Sequence, residues 1–401
     1  MSDDIGDGLL FQSILQTLRR SLYACPEGAG VESTTASLVT SFVSAYQPDA
    51  ILTGLGGGHG MCAIFEASEA GPTVAVRADL DAVPIERNES LEQVAQPADE
   101  VTLGFPAVAT RFEHRCGHDA HMTMVAALAA LVRREPLPRG RLALVFQPAE
   151  ETGEGAAQIL MDPRFQVLAP DFTVGLHNLP GEAKGAIVVR AGTMACASVG
   201  LQIDLHGLAA HAAEPELGVS PLPAVQALLT DLPGLRRAEP GDDDYRLVTI
   251  THVDVGRPTY GVSPGHARIR CTLRAATSEG LQALRVAATE SVSERAREAR
   301  LVDQVQWHDE FPSTLNAAEL VDTLEQVAAG LKLPLVRRSE PMRWSDDFGH
   351  FSRVSPSLYF GLGIGEQAVG LHQEGYAFPE ELLVVGAEVL HEVARALLRR
   401  D

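Results

Sequence analysis

The sequence is short of cysteine, of positive charge and of long apolar runs, and each shortage excludes something. Five cysteines in 401 residues (Cys25, Cys62, Cys116, Cys196 and Cys271) are scattered, odd in number and never in a CxxC pair. That pattern excludes a disulfide framework and a thiolate-rich structural zinc site. The longest apolar stretch, Met122 to Val132, falls well short of the ~20 residues needed to cross a bilayer. Lys and Arg number 32 against 53 Asp and Glu, a formal net charge of −21. Such a chain repels phosphate backbones, and no basic run draws it to an anionic membrane, so neither nucleic acid nor membrane is an expected partner. The first residues, Met1-Ser-Asp-Asp-Ile-Gly-Asp, are acidic where a secretion signal is basic, and a reduced, cytoplasmic location is expected. No solenoid or propeller repeat and no low-complexity tract occurs.

What is present reads as a folded protein: 45% hydrophobic and 21% charged residues, with length for two or three domains at ~100–200 residues each. Residues 8–24 and Thr34–Tyr46 have the spacing of amphipathic helices. Thr73-Val-Ala-Val-Arg-Ala reads as a buried strand ending at Asp79 and Asp81, and Arg141-Leu-Ala-Leu-Val-Phe and Phe172-Thr-Val-Gly-Leu read as two more. Between them a helix over 120–134, capped by Asp119, is apolar almost all round and is predicted to be buried. Buried strands alternating with helices predict the α/β class with a mostly parallel sheet.

From about residue 192 the period changes. Val199, Leu201, Ile203 and Leu205 alternate with Gly200, Gln202, Asp204 and His206, a strand with one wet face. A helix over 220–234, strands at 246–255 and Ala267–Arg274, a charged helix at 278–299 and a strand at 302–307 complete a βαββαβ order, the ferredoxin-like split motif. The α/β character returns near 310, with a strand at Leu358-Tyr-Phe-Gly-Leu and a closing helix at 380–399. The predicted organisation is a larger α/β domain in two parts, 1–191 and 309–401, with an inserted ferredoxin-like α+β domain at 192–308.

In open α/β sheets the functional crevice lies at the carboxyl ends of the strands. There stand Asp79 and Asp81, Glu150 and Glu151, and His177, joined by the loop His114-Arg-Cys-Gly-His-Asp-Ala-His121. Each alone is ordinary: a lone His on an apolar segment is usually a satisfied core residue, and acidic pairs are usually solvated. Together, at buried strand ends, the carboxylates repel unless a cation neutralises them. One thiol, several imidazoles and several carboxylates suit an open catalytic metal site rather than a closed structural one. Two divalent ions about 3.5–4 Å apart need a bridging anion, for which Cys116 is the candidate.

Arg77-Ala-Asp-Leu-Asp-Ala-Val-Pro-Ile, Arg115-Cys-Gly-His-Asp-Ala-His, Phe146-Gln-Pro-Ala-Glu-Glu and Gly175-Leu-His-Asn-Leu-Pro resemble a family of dinuclear-metal amidohydrolases. That family contains hippurate hydrolases, N-acyl-amino-acid deacylases and auxin-conjugate hydrolases, within the aminoacylase/carboxypeptidase superfamily. Arg19-Arg-Ser-Leu-Tyr-Ala-Cys-Pro-Glu, His211-Ala-Ala-Glu-Pro, Ser345-Asp-Asp-Phe and Leu371-His extend the resemblance nearly end to end. It implies two divalent metal ions per subunit, manganese or zinc, held by Cys116, His118, Glu151, His177 and His372. It implies Glu150 as general acid/base, Asp81 as a residue orienting a metal-bound imidazole, and a homodimer or higher oligomer made by the inserted "lid". His211 matches a lid histidine that reaches a neighbouring subunit's site as a ligand of the substrate carbonyl. Arg274 and the position of Gly261 match substrate-binding positions.

The chain also departs from the family. Tyr23 and Cys25 stand where His is frequent, Ala210 replaces a common Gly, and Asp346 replaces Glu in the Ser-Glu-Asp-Phe motif. Gly261 replaces an Asn that contacts the substrate carboxylate.

The expected function is metal-dependent hydrolysis of the amide bond of an N-acyl amino acid or related small amide, releasing a carboxylic acid and an amine. The alternatives are a metallo-dipeptidase or carboxypeptidase and, third, a non-catalytic ligand-binding protein on the same scaffold. Gly261-Val-Ser-Pro-Gly265 fits the G-x-S-x-G elbow of serine hydrolases, but Pro264 has no N–H for the oxyanion and a period-two strand follows, so that reading is rejected. Gly54-Leu-Gly-Gly-Gly-His-Gly misses the dinucleotide and phosphate-loop spacings and reads as a flexible turn.

Overall fold

The computed structural model describes residues 2–85, 111–239, 242 and 244–400. Helices α1 (Ser2–Tyr23) and α2 (Ser33–Ser44) lead into strands β1 (Ala50–Leu55), β2 (Gly60–Glu66) and β3 (Thr73–Asp79). Then come α3 (His118–Arg134), β4 (Arg141–Gln147), α4 (Gly155–Met161), α5 (Pro163–Leu168), β5 (Phe172–Pro180) and β6 (Ile187–Val189). A second unit follows: β7 (Ala197–His206), α6 (Leu222–Gly234), β8 (Arg246–Val255), β9 (His266–Ala275), α7 (Ser278–Glu298) and β10 (Val302–Phe311). The chain returns through α8 (Ala318–Gly330), β11 (Leu335–Arg337), β12 (Ser357–Gly365) and α9 (Leu382–Leu398).

The larger sheet has eight strands in the order β1-β2-β4-β3-β5-β12-β6-β11. Its central strands β4, β3, β5 and β12 are parallel, as the α/β pattern predicts. The β1–β2 and β2–β4 pairs are antiparallel, and β6 runs antiparallel to β12 but parallel to β11. All of β3 is buried, which is why it reads as an unbroken apolar run: helices cover both faces. Residues His118 to Ala129 of α3 are buried without exception, packed with α1 and α9 in the main core. β1, β2 and α8 carry no pattern strong enough to announce them. The glycine-rich turn proves to be the β1–β2 connection, with Gly56, Gly57 and Gly58 at positive φ.

One cap is corrected. Asp119 does not precede α3 but lies in its first turn, ion-paired with Arg19 at 2.8 Å, and the cap is Gly117 at φ +94°. Only glycine serves there. A Cβ would stand 2.2 Å from Asn178 Oδ1 and 2.5 Å from the Tyr376 hydroxyl, besides the left-handed backbone.

The smaller sheet is wholly antiparallel in the order β8-β9-β7-β10, the strand order of the ferredoxin-like motif, with its own core against α6 and α7. Val199, Leu201, Ile203 and Leu205 face that core. The opposite face is drier than the alternation implies. Asp204 and Gln202 are buried, because Asp204 pairs with Arg268 at 2.8 Å and Gln202 accepts from Arg270 at 3.0 Å. At the junction of the two sheets the ingoing Gly192–Ala195 pairs antiparallel with the outgoing Thr314–Asn316. Among the described residues no helix is long and apolar enough to cross a membrane.

Candidate metal centre

Strand register assembles the site. β3 pairs with β4 so that Asp79 lies opposite Gln147, and with β5 so that Arg77 lies opposite Gly175, which brings His177 level with Asp79. The loops beyond β3 and β4 supply Asp81, Glu150 and Glu151; the approach to α3 supplies Cys116, and its first residue is His118. His372 comes from the loop between β12 and α9, in left-handed conformation (φ +64°), its N–H donated to the Arg115 carbonyl at 2.9 Å.

All five predicted ligands meet. Cys116, His118 and His177 form one group and Cys116, Glu151 and His372 a second, with the ligand atoms of each within 4.8 Å of one another. Cys116 is common to both groups. Its Sγ lies 3.5 Å from His177 Nε2, and His372 Nε2 lies 3.5 Å from Glu151 Oε1. His118 Nε2 is 3.8 Å from Glu150 Oε2 and 3.7 Å from Glu151 Oε1.

The histidine tautomers follow from the partners. His118 Nδ1 donates to the Asp81 carbonyl at 2.7 Å and His177 Nδ1 to the Asn178 carbonyl at 2.8 Å. A carbonyl can only accept, so Nδ1 carries a proton in both rings and both Nε2 atoms face the cluster. His121 differs: Nδ1 meets Asp79 at 2.8 Å and Nε2 meets Asn178 Oδ1 at 2.6 Å, so neither nitrogen is free to ligate. Asp79 is spent on His121 and on Arg77, 2.9 Å away. Among the described residues neither ring nitrogen of the buried His114 has a hydrogen-bond partner.

The donor set fits divalent cations. His118 Nε2 and Glu151 Oε1 are buried and lack any hydrogen-bond partner among the described residues, an expensive arrangement for an imidazole nitrogen and a carboxylate oxygen facing each other. Thiolate, imidazole and carboxylate together suit a divalent metal ion. Burial pushes the Glu150 carboxyl well above the usual carboxylate range, and the charges of Asp346 and Glu151 push it further. Burial raises the Cys116 thiol, with Glu151 adding to it. The neighbouring Cys116 and Glu151 side chains push His372 up to about 10. A cation held by Cys116 and His372 would compete with the protons on these two groups. Burial and His121 hold His177 well below its ordinary value, hence neutral.

The Asp81 carboxylate is wholly buried and holds backbone N–H groups, while the Asp81 carbonyl orients the His118 imidazole. Its Oδ1 accepts the Glu150 N–H at 3.1 Å and its Oδ2 the Glu151 N–H at 2.9 Å, while its carbonyl holds His118. Beneath the site Arg77 donates to Gln147 at 2.8 Å, Asp79 at 2.9 Å and Asp347 at 2.7 Å. Asp346 accepts the Phe348 N–H and the Tyr359 hydroxyl. The Trp344 ring lies 5.3 Å from that of His177. Sequence reasoning did not single out Arg77, Gln147, Asn178, Trp344 or Tyr376. Arg77 alone carries a signal, as the one charge inside an apolar strand.

The lid residues stand apart from this cluster. His211 is exposed in a two-residue strand, Ala210–His211, paired with Val262–Ser263, and its ring accepts the Ala213 N–H at 3.1 Å. Gly261 is its neighbour: its carbonyl accepts the Ala212 N–H at 3.0 Å. Arg274 is half-buried and donates to the Arg343 carbonyl at 2.9 Å and Ser345 Oγ at 3.0 Å, tying the small sheet to the segment that carries Trp344.

Residues 75–396 match the model of peptidase family M20/M25/M40. The N-acetyl-L-cysteine deacetylase of Bacillus subtilis (strain 168) is 25% identical over 389 residues, 95% of this chain and 87% of that protein. Thermostable carboxypeptidase 1 of Saccharolobus solfataricus is 25% identical over 388 residues, 95% of this chain and 93% of that protein. The crystal structure of the Bacillus subtilis YXEP protein, a dinuclear metal binding peptidase from the M20 family, matches with a TM-score of 0.77 at 25% identity, covering 97% of this chain and 99% of that one. The chain belongs to peptidase family M20/M25/M40 and is a metal-dependent hydrolase of amide or peptide bonds.

Proposed function

We propose that the bond cut is the amide of an N-acyl amino acid or a related small amide, giving a carboxylic acid and an amine. The observation that carries this reading is Glu150: buried, 3.8 Å from His118 Nε2, and with its carboxyl held well above the usual range. In this reading Cys116, His118, Glu151, His177 and His372 hold two divalent cations, zinc or manganese. When bound, the cations acidify water and polarise the scissile carbonyl. Glu150 takes the water proton and returns it to the leaving amine, which its raised pKa favours near neutral pH. Asp81 keeps Glu150 and Glu151 aimed through their backbones.

His211 and the hairpin strand around Gly261 serve a neighbouring subunit's site, and Arg274 serves substrate at the junction. A homodimer through the lid is supported by its exposed apolar residues Leu208, Leu217, Leu222, Tyr260 and Val262. The division at 1–191, 192–308 and 309–401 is supported by the two separate cores.

The similarity to a carboxypeptidase keeps a second reading, peptide hydrolysis, in view. Zinc- or manganese-reconstituted protein assayed on N-acetyl and N-benzoyl amino acids and on dipeptides decides between them. Faster acyl-amide turnover is expected. The reverse ratio selects the peptidase, and bound metal with no turnover of either class sinks the enzymatic reading.

A further inference from the structure

Three consecutive backbone N–H groups lead into the acidic pair, and two buried carboxylates hold all three. Asp81 accepts from Glu150 and Glu151; Glu32 accepts from Ala149, with Oε1 at 2.8 Å. Ala149 is left-handed at φ +53°, a conformation that costs a non-glycine residue roughly 1–2 kcal/mol and persists only where surroundings enforce it. Glu32 is fully buried, 117 residues away in sequence, and occupies the N-cap position of α2. An N-cap side chain ordinarily serves its own helix. Here Glu27 does that work, accepting from Thr34 N–H at 3.1 Å and Thr35 N–H at 2.8 Å. Glu32 is thereby released to bind Gly30 N–H at 2.9 Å and Ala149 N–H, its buried Oε2 having no hydrogen-bond partner among the described residues. The same loop docks on the other side too, because the Glu27 carbonyl accepts the Ala82 N–H at 2.8 Å, next to Asp81.

We propose that Glu32 is a positioning residue for the hydrolysis: by holding the Ala149 N–H it enforces the left-handed turn that aims Glu150 and Glu151 into the cleft. The inference rests on the reading of Glu150 as acid/base. Its requirement is an acceptor of the right reach, not a charge. Glutamine supplies that acceptor; aspartate keeps the charge but is one methylene too short.

The test compares Glu32→Gln, Glu32→Asp and Glu32→Ala in the metal-reconstituted full chain, with Glu150→Gln alongside. Glu32→Asp and Glu32→Ala are expected to lower kcat about 10–100-fold, the usual effect of removing support behind a ligand or base. KM is expected to change by less than about twofold, and Glu32→Gln to recover kcat to within about threefold of the parent. Independently of activity, amide hydrogen exchange at Ala149 is expected to speed up in Glu32→Asp and Glu32→Ala but not in Glu32→Gln. If Glu32→Ala does not fold, the Asp and Gln pair alone decides, since a charge requirement ranks them in the opposite order. Equal kcat for Glu32→Asp and Glu32→Gln, or unchanged Ala149 exchange, overturns the proposal. Full turnover by Glu150→Gln instead overturns the reading on which it rests.

Discussion

The two sheets treat buried polar residues in opposite ways. On the lid sheet opposite signs lie side by side: Asp204 beside Arg268, with Gln202 held by Arg270, so the polar face is neutral and complete in itself. At the carboxyl ends of β3, β4 and β5 the acids outnumber their counter-charges. Asp79, Asp346 and Asp347 share Arg77, while Asp81, Glu150 and Glu151 crowd around His118. A lid built this way needs nothing added to be stable. The crevice reaches its working state only with extra positive charge, and this separates a structural polar face from a metal centre.

Removing the metal should break the comparison most severely. Dialysis against a chelator is expected to abolish turnover and to lower the melting temperature of the larger core, by the equivalent of about 4 kcal/mol where metal had been at 1,000 times its Kd. Restoring zinc or manganese should reverse both; a chelated protein that still turns over substrate contradicts the metal dependence. Next in size is Arg77→Leu. It strands three buried carboxylates, so a loss of roughly 3–5 kcal/mol in urea unfolding is expected, and an unchanged midpoint would mean those acids are not charged in the folded state.

The pH response of the metal-free protein sharpens the contrast in sign. Burial raises the folded pKa of Glu150, so its contribution to stability is present below the usual carboxylate range and is lost as pH rises. Asp204 is the reverse: burial opposes, but hydrogen bonds from Arg268 and Gln202 depress its pKa, so its contribution is present above the usual Asp range and lost as pH falls. In chelator, Glu150→Gln should therefore gain melting temperature over the parent increasingly as pH rises from 4.5 to 8 (a window beginning at the carboxyl's ordinary value). A constant gap refutes the raised pKa. The smallest effect is Arg268→Ala on the half-open lid face, expected to cost under about 1 kcal/mol and to leave kcat within error.

Particular residues show how much was legible along the chain. The buried strands announced themselves because both faces of β3 and β4 are covered, so neither needs a polar alternation. The edge strand β1 did not, being largely exposed with a mixed pattern. Thiol, imidazole and carboxylate were legible as the chemistry of an open metal site, and the resemblance supplied which of many acids and histidines to expect as ligands. That His121 is spent while His118 keeps Nε2 for the cleft was not legible from the residues themselves, only from the resemblance, since both sit in one motif three residues apart and differ only in which partners packing brings to them. Asp119 looked like a cap because cap residues precede apolar helices; Gly117 takes that place, forced by the close approach of Asn178 and Tyr376.

Burial pattern, strand period and side-chain chemistry are local properties, and for that reason the order of amino acids alone settled the α/β framework, the split ferredoxin-like insert and the presence of metal-ligand chemistry at strand ends. Tertiary structure decided the rest: which imidazole nitrogen faces the cleft, that the Asp81 carboxylate grips backbone, and that Glu32 reaches Ala149. Those outcomes depend on hydrogen-bond partners many residues distant in the chain, chosen only when strand register and helix packing bring them within about 3 Å.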